Sequence, residues 1–118
     1  MSEYFEFFFL ESVESTNDEI KNLSQNKKTS IALFSEEQTN GKGRSSNKWL
    51  SQKGDLTCSF FVSEKFNLND LGKINIMISV CILDALKEIF RNLEVKVKWP
   101  NDLYIGEKKL GGILLETK

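Results

Sequence analysis

Residues 38–49, Gln-Thr-Asn-Gly-Lys-Gly-Arg-Ser-Ser-Asn-Lys-Trp, hold the chain's densest candidate chemistry. Gly41 and Gly43 flank Lys42, so the backbone can approach a ligand and turn its N–H groups inward. Lys42, Arg44 and Lys48 add positive charge with no carboxylate beside them. The pattern suits an anion such as a phosphate, and a solvated glycine-basic surface loop fits it equally well. Two further groups carry reactive or polar side chains in suggestive positions. Ser15, Thr16 and Asn17 stand where a helix should begin, and the free N–H groups of a helix N-terminus seat polar or anionic atoms. Lys98, Asn101, Asp102 and Lys109 cluster on what reads as a hairpin, where Asp102 would otherwise serve as an Asx turn after Pro100.

Composition narrows the chemistry. There is no histidine, which removes imidazole as base, nucleophile or metal ligand. Cys58 and Cys81 are far apart and embedded in apolar runs, so they read as small buried hydrophobes in a reducing compartment, and no metal ligand set is assigned. Lys plus Arg is 16 against 17 for Asp plus Glu, so no net field draws nucleic acid or an anionic membrane to the molecule. The apolar N-terminus carries Glu3 and Glu6, without a basic leader or a small-residue cleavage site, and reads as a strand. No apolar run approaches the roughly 20 residues that span a bilayer. At 118 residues the chain is long enough for one domain with a core and too short for two.

The elements that must position these groups follow from periodicity. Residues 4–10, dense in aromatics, suit a buried strand. Thr16 and Glu19 have the spacing of a capping box, which predicts a short helix running through Ile20 and Leu23. Residues 30–35 form a short apolar run that delivers the chain into the glycine-basic loop. From there to Asp55 only Trp49 and Leu50 are large and apolar, which predicts a long structureless segment with Trp49 as a lid or an anchor. Residues 56–63 alternate as a strand covered on one face. Asn69 or Asp70 can cap a helix over 71–91, apolar nearly all round in its first half and therefore the expected central core helix. Val95, Val97 and Trp99 alternate with Lys96 and Lys98, a strand whose apolar set faces the core. Residues 103–105 and 108–116 continue as hairpin strands about a Gly106-Glu107 turn. The expected class is α+β, with a mixed, largely antiparallel sheet packed with helices.

Taken together, four stretches resemble the catalytic domain of biotin protein ligases. They are Glu14-Ser-Thr-Asn, Gln38-Thr-Asn-Gly-Lys-Gly-Arg through Lys48-Trp49, Lys98-Trp-Pro-Asn-Asp-Leu-Tyr, and Lys108-Lys-Leu-Gly-Gly-Ile-Leu-Leu-Glu. The resemblance spans essentially the whole chain, and the Lys-Trp-Pro-Asn-Asp run is unusually specific. It implies a fold like that of class II aminoacyl-tRNA synthetases and biotin ligases. The implied reaction activates biotin with ATP to biotinyl-5′-AMP and transfers it to a lysine of a biotin carboxyl carrier protein. ATP and biotin would be substrates, with Mg²⁺ expected alongside ATP, in the cytoplasm, and a homodimer is an assembly the resemblance allows.

By the same resemblance Ser15, Thr16, Asn17, Gln38, Gly41 and Gly112 fall to biotin. Lys42, Gly43, Arg44, Trp49, Asn101 and Lys109 fall to the nucleotide and its phosphates. Lys109, Arg44 and Asp102 are the catalytic candidates, Lys109 first, as the cation bridging the biotin carboxyl oxygen and the α-phosphate; Lys98 is given a supporting electrostatic role. Lys42 and Ser46-Asn47 stand where the family usually has arginine and a Gly-Arg pair. Lysine keeps the charge and loses bidentate geometry. The family also continues beyond Glu116 with further strands and a small C-terminal β-domain, so the chain is expected to be the N-terminal portion of such a domain, with no preceding DNA-binding domain. A lipoate protein ligase and a non-catalytic biotin-binding fragment are the alternatives.

Overall fold

The computed structural model describes residues 4–117; residues 1–3, the start of the stretch read as a strand rather than a leader, and residue 118 lie outside it. The chain divides into two compact units, one ending at Glu64 and one covering Lys65–Thr117.

In the first unit, β1 (Phe5–Val13), α1 (Thr16–Leu23) and β2 (Ser30–Gln38) form a β-α-β element in which the two strands run parallel. Both strands outrun the lengths read from their apolar runs, because ladder pairing continues from Phe5↔Ser30 to Val13↔Gln38 after hydrophobicity fades. The helix cap is Ser15 rather than Thr16, since Ser15 Oγ accepts from the Asp18 N–H at 3.3 Å. The segment read as structureless contains β3 (Gly41–Lys42), a 3₁₀ turn at Arg44–Ser46 and β4 (Lys48–Trp49), with β3 and β4 paired antiparallel. β5 (Thr57–Phe61) then pairs antiparallel with β2, giving the order β1-β2-β5.

Period-two alternation sorts this sheet's faces. Ile31 and Leu33 of β2 pack with Ile20 of α1, and Phe8, Leu10, Leu23 and Phe61 surround them. Rings from the alternate positions associate with one another: Phe9 stacks on Phe34 at 5.3 Å between centroids, and Phe60 meets Phe34 edge-on at 6.1 Å. β1 is therefore not the buried strand its composition suggested, for Phe7 and Phe9 remain 59% and 74% exposed.

In the second unit, α2 (Leu71–Ile89) packs against β6 (Val95–Lys98), which pairs antiparallel with β7 (Asp102–Ile105), itself paired with β8 (Lys108–Gly112). Val95 and Leu103 are buried. Trp99, expected to continue the inward alternation, lies beyond the end of β6 and is 76% exposed. The expectation of a central core helix also fails: within α2 only Ser79 is buried, and Ile76, Met77 and Val80 are exposed. Being apolar all round shows that a helix can be covered on every side, and does not supply the covering layers. Cys81 is exposed as well, while Cys58 is partly buried, so only one thiol behaves as expected. No helix among the described residues is long and apolar enough to cross a membrane. The α+β class is the one that forms, with one parallel pair among otherwise antiparallel strands.

Candidate functional site

The candidates fall into two groups, one in each unit. In the first, the parallel strands β1 and β2 end side by side, a place where α/β sheets commonly receive ligands. β1 leads directly into Ser15 and α1, while β2 ends at Gln38. Backbone bonds from Thr39 N to Val13 O (2.9 Å) and from Asn40 N to Glu14 O (2.7 Å) carry the pairing past the strand ends. They bring residues 38–41 against residues 14–17.

A chain of neutral hydrogen bonds results. Gln38 Oε1 accepts from the Thr16 backbone N–H (2.8 Å) and from Thr16 Oγ1 (3.1 Å), while Gln38 Nε2 donates to Ser51 Oγ (3.0 Å). Ser59 Oγ donates to Thr16 Oγ1 (2.7 Å) and also lies against the Asn17 side-chain oxygen Oδ1. Ser15, Thr16 and Ser59 are buried. Gly41 is required here for space: a Cβ at this position would stand 2.5 Å from the Trp49 carbonyl oxygen and 2.8 Å from Gln38 Nε2. At Gly43 the nearest atom would be 3.5 Å away, an ordinary contact.

The charged part of this group differs from the reading of the sequence. Lys42 has a carboxylate beside it, with Asp18 Oδ2 2.6 Å from Lys42 Nζ. Asp18 lies 24 positions earlier, in the first turn of α1, so a local scan of the loop passes it by. Arg44 is exposed at the start of the 3₁₀ turn, where the loop is closed by Gly43 N to Asn47 O (2.7 Å) and Asn47 N to Arg44 O (3.0 Å). Trp49 is half-buried in β4, paired with Gly41.

In the second unit a β-bulge decides where Lys109 points. Asp102 pairs with Gly112 and Leu103 with Gly111, but Tyr104 pairs with Lys109, leaving Leu110 as the extra residue. Without the bulge Lys109 would oppose Ile105 and lie on the other face. With it, Lys109 joins Lys96, Lys98, Asp102 and Tyr104. Its Nζ stands 3.2 Å from Asp102 Oδ1, and Lys98 Nζ lies 5.5 Å over the Tyr104 ring. Asn101 is buried and pins the chain after β8, its Nδ2 donating to Ile113 O (2.7 Å) while Ile113 N donates to Asn101 O (2.9 Å). Asn101 Oδ1 is buried with no protein partner among the described residues. Asn75 of α2 reaches the same turn, donating to Pro100 O at 3.4 Å. Gly112 is exposed at the end of β8.

A profile of the Biotin/lipoate A/B protein ligase family matches residues 9–118. The chain belongs to that family. It is similar to the bifunctional ligase/repressor BirA of Escherichia coli, at 35% identity over 88% of this chain and 32% of the relative. Its fold is similar to the biotin protein ligase of Leishmania major in complex with biotinyl-5-AMP, with a TM-score of 0.85 at 26% identity over 95% of this chain and 52% of that one. It is similar again to the biotin protein ligase of Aquifex aeolicus in complex with biotin and ATP, with a TM-score of 0.80 at 34% identity over 97% and 47%. The chain thus spans about a third of that curated relative's length and about half of those solved chains.

The glycine-basic loop holds two non-glycine residues in the left-handed region, Ser46 at φ 63° and Ser45 beside it at φ 54°. Side chains are disfavoured there and glycine is not. Ser51, Ser59 and Asp18 are the site neighbours that sequence reasoning missed. For Ser59 the available signal was strand parity: it alternates with Phe60 on β5 and so faces the same side as Thr57.

Proposed function

We propose that this chain is the portion of a biotin protein ligase that binds biotin and ATP and forms biotinyl-5′-AMP, residues 1–118 acting as part of one catalytic domain. The observation that carries the reading is the neutral hydrogen-bond chain through Ser51, Gln38, Thr16 and Ser59 to Asn17, in which Thr16 and Ser59 are buried and the others partly so. Biotin's bicycle contains a urea, with two N–H donors and a strong carbonyl acceptor, and such a group needs buried neutral partners on both counts. Lipoate's dithiolane offers none. A site built for hydrogen bonds discriminates against a ligand lacking them by about 10⁴–10⁵-fold, because its own polar groups are left unpaired.

In the chemistry proposed, a biotin carboxylate oxygen forms a bond to the α-phosphorus of ATP and the bond to pyrophosphate breaks. The ε-amine of a carrier-protein lysine then attacks the acyl carbon and AMP leaves. An anion must approach a polyanion, so cations are required where charge accumulates, each commonly worth about 10²–10³ in rate. Lys109 is assigned to the carboxyl oxygen and α-phosphate, Arg44 and Lys42 to phosphate, and Asp102 to holding the Lys109 ammonium in one place. Asn101 Oδ1, buried without a protein partner among the described residues, is assigned to a nucleotide N–H donor. Trp49 is assigned to cover the adenylate, with Gly43 and Gly112 giving close backbone approach. ATP would enter as its Mg²⁺ complex. No cluster of three metal-ligating side chains occurs among the described residues. The proposed compartment is the cytoplasm and the proposed acceptor a biotin carboxyl carrier domain.

Thermal shift with biotin against lipoate tests the reading. Stabilisation by biotin and none by lipoate is expected, and stabilisation by lipoate alone would overturn it.

A further inference from the structure

We infer that Asn75 of α2 is a positioning residue for the Pro100–Asn101–Asp102 turn, holding it ready for nucleotide at a cost to the stability of the fold; this rests on the assignment of Asn101 and Asp102 above. Between Ile74 and Leu83 the helix carries one amide and one hydroxyl, Asn75 and Ser79, among Ile, Met, Val, Cys and Leu. Four positions apart, they share one helix face. Ser79 is 2% exposed and its Oγ donates to the Asn75 backbone carbonyl at 2.9 Å, so its one hydrogen is spent within the helix. The Asn75 side chain instead reaches beyond α2, with Nδ2 3.4 Å from Pro100 O. A carbonyl can only accept, so the nitrogen end must face it and Oδ1 must point away. That oxygen is buried and meets no donor among the described residues.

A typical hydrogen bond favours folding by about fivefold, and one stretched to 3.4 Å by less. A buried oxygen left without a donor costs about 5–150-fold. As an anchor of the fold Asn75 is therefore a net loss, and an apolar residue of similar shape would serve α2 better. What the amide secures is the turn. The Pro100 carbonyl that it holds belongs to the peptide leading into Asn101. Asn101 is pinned from the other side, its Nδ2 donating to Ile113 O at 2.7 Å and its O accepting from Ile113 N at 2.9 Å. The next residue, Asp102, opens β7 with its carboxylate 3.2 Å from Lys109 Nζ. With the amide removed, the Ile113 bonds remain, but the Pro100 carbonyl loses its side-chain donor. Asn101 and Asp102 then lose their fixed placement while the rest of α2 is left with one unsatisfied oxygen fewer.

Asn75→Leu keeps the branched shape and removes the amide, and Ser79→Ala on the same face is the comparison. In urea unfolding of the full chain, Asn75→Leu should leave the folding equilibrium constant at the wild-type value or raise it by up to about tenfold; a fall of about fivefold or more, as an anchor of the fold would give, overturns the inference. Hydrogen exchange at the Ile113 amide reads the clamp on Asn101 without any ligand. It should quicken by about tenfold in Asn75→Leu while exchange in the β1–β2 ladder is unchanged, and Ile113 exchange at the wild-type rate overturns the inference. Calorimetric MgATP affinity should fall by about fivefold in Asn75→Leu and stay within about twofold of wild type in Ser79→Ala, with biotin affinity held in both. Undiminished MgATP affinity in Asn75→Leu, or an equal loss in Ser79→Ala, overturns it. Asn75→Ala repeats the exchange and affinity readings should leucine crowd the site. A wild-type chain that fails to bind MgATP, while Ile113 exchange quickens in Asn75→Leu, refutes the nucleotide assignment and upholds the hold of Asn75 on the turn.

Discussion

Gly41→Ala should damage this fold and its ligand site together, and the size of the effect follows from two distances. The added Cβ would stand 2.5 Å from the Trp49 carbonyl oxygen and 2.8 Å from Gln38 Nε2. Reaching the 3.4 Å at which ordinary contact begins requires β3 and β4 to separate by about 0.9 Å or the Gln38 amide to withdraw. Neither is easy. The carbonyl is backbone in the strand opposite, and Gln38 is held at both ends, by the Thr16 N–H and by Ser51. Overpacking of this kind costs about 1–3 kcal/mol, and a displaced Gln38 adds about 1 kcal/mol for a lost buried hydrogen bond. At about 4–8 °C per kcal/mol for a small domain, the melting temperature should fall by roughly 10 °C or more. Biotin binding should weaken in the same variant because Gln38 is the group displaced. Gly43→Ala is the internal comparison: its Cβ would meet nothing nearer than 3.5 Å, so its melting temperature should stay within about 2 °C of wild type. Differential scanning fluorimetry with and without biotin reads both. A Gly41→Ala protein as stable as Gly43→Ala, with biotin affinity intact, would refute the packing argument.

Ser46→Gly relieves a left-handed backbone and should raise stability by about 0.5–1 kcal/mol in urea unfolding; a loss would show that the φ of 63° is not strained. Asp18→Asn removes an ion pair whose side chains are 46% and 40% exposed, so stability should change by less than about 1 kcal/mol. ATP should bind the same variant more tightly at low salt, the Lys42 charge no longer being offset by a carboxylate at 2.6 Å, and weaker binding would contradict this. Burial pushes the Cys58 thiol above 9.0, so iodoacetamide should modify exposed Cys81 first, and equal rates would count against it. The folded chain holds that proton more tightly than the unfolded one, so this group's contribution to stability is lost as pH rises past 9.0.

What the sequence carried openly was local. The Ser15–Asn17 helix start, the alternation of β5 and β6 and the Gly106 turn all appear where short-range patterns put them, within a residue or two. What it hid is set by register and by long-range pairing. The bulge at Leu110 turns Lys109 onto the face of Asp102, and one inserted residue in a ladder leaves no mark on hydrophobic periodicity. Asp18 reaches Lys42, and Ser59 reaches Thr16, across 24 and 43 positions, through tertiary placement alone. The exposed apolar faces of α2 show the opposite failure, where composition promised burial that the described residues do not supply.

The central claim is adenylation of biotin, and the most direct measurement is pyrophosphate release from MgATP with and without biotin. Release that depends on biotin, is absent with lipoate, and falls by at least about 10²-fold in Lys109→Ala while the melting temperature holds is the predicted result. Biotin binding without pyrophosphate release would make the chain a binding fragment, and Lys109→Ala turning over at the wild-type rate would contradict the assignment of the catalytic cation.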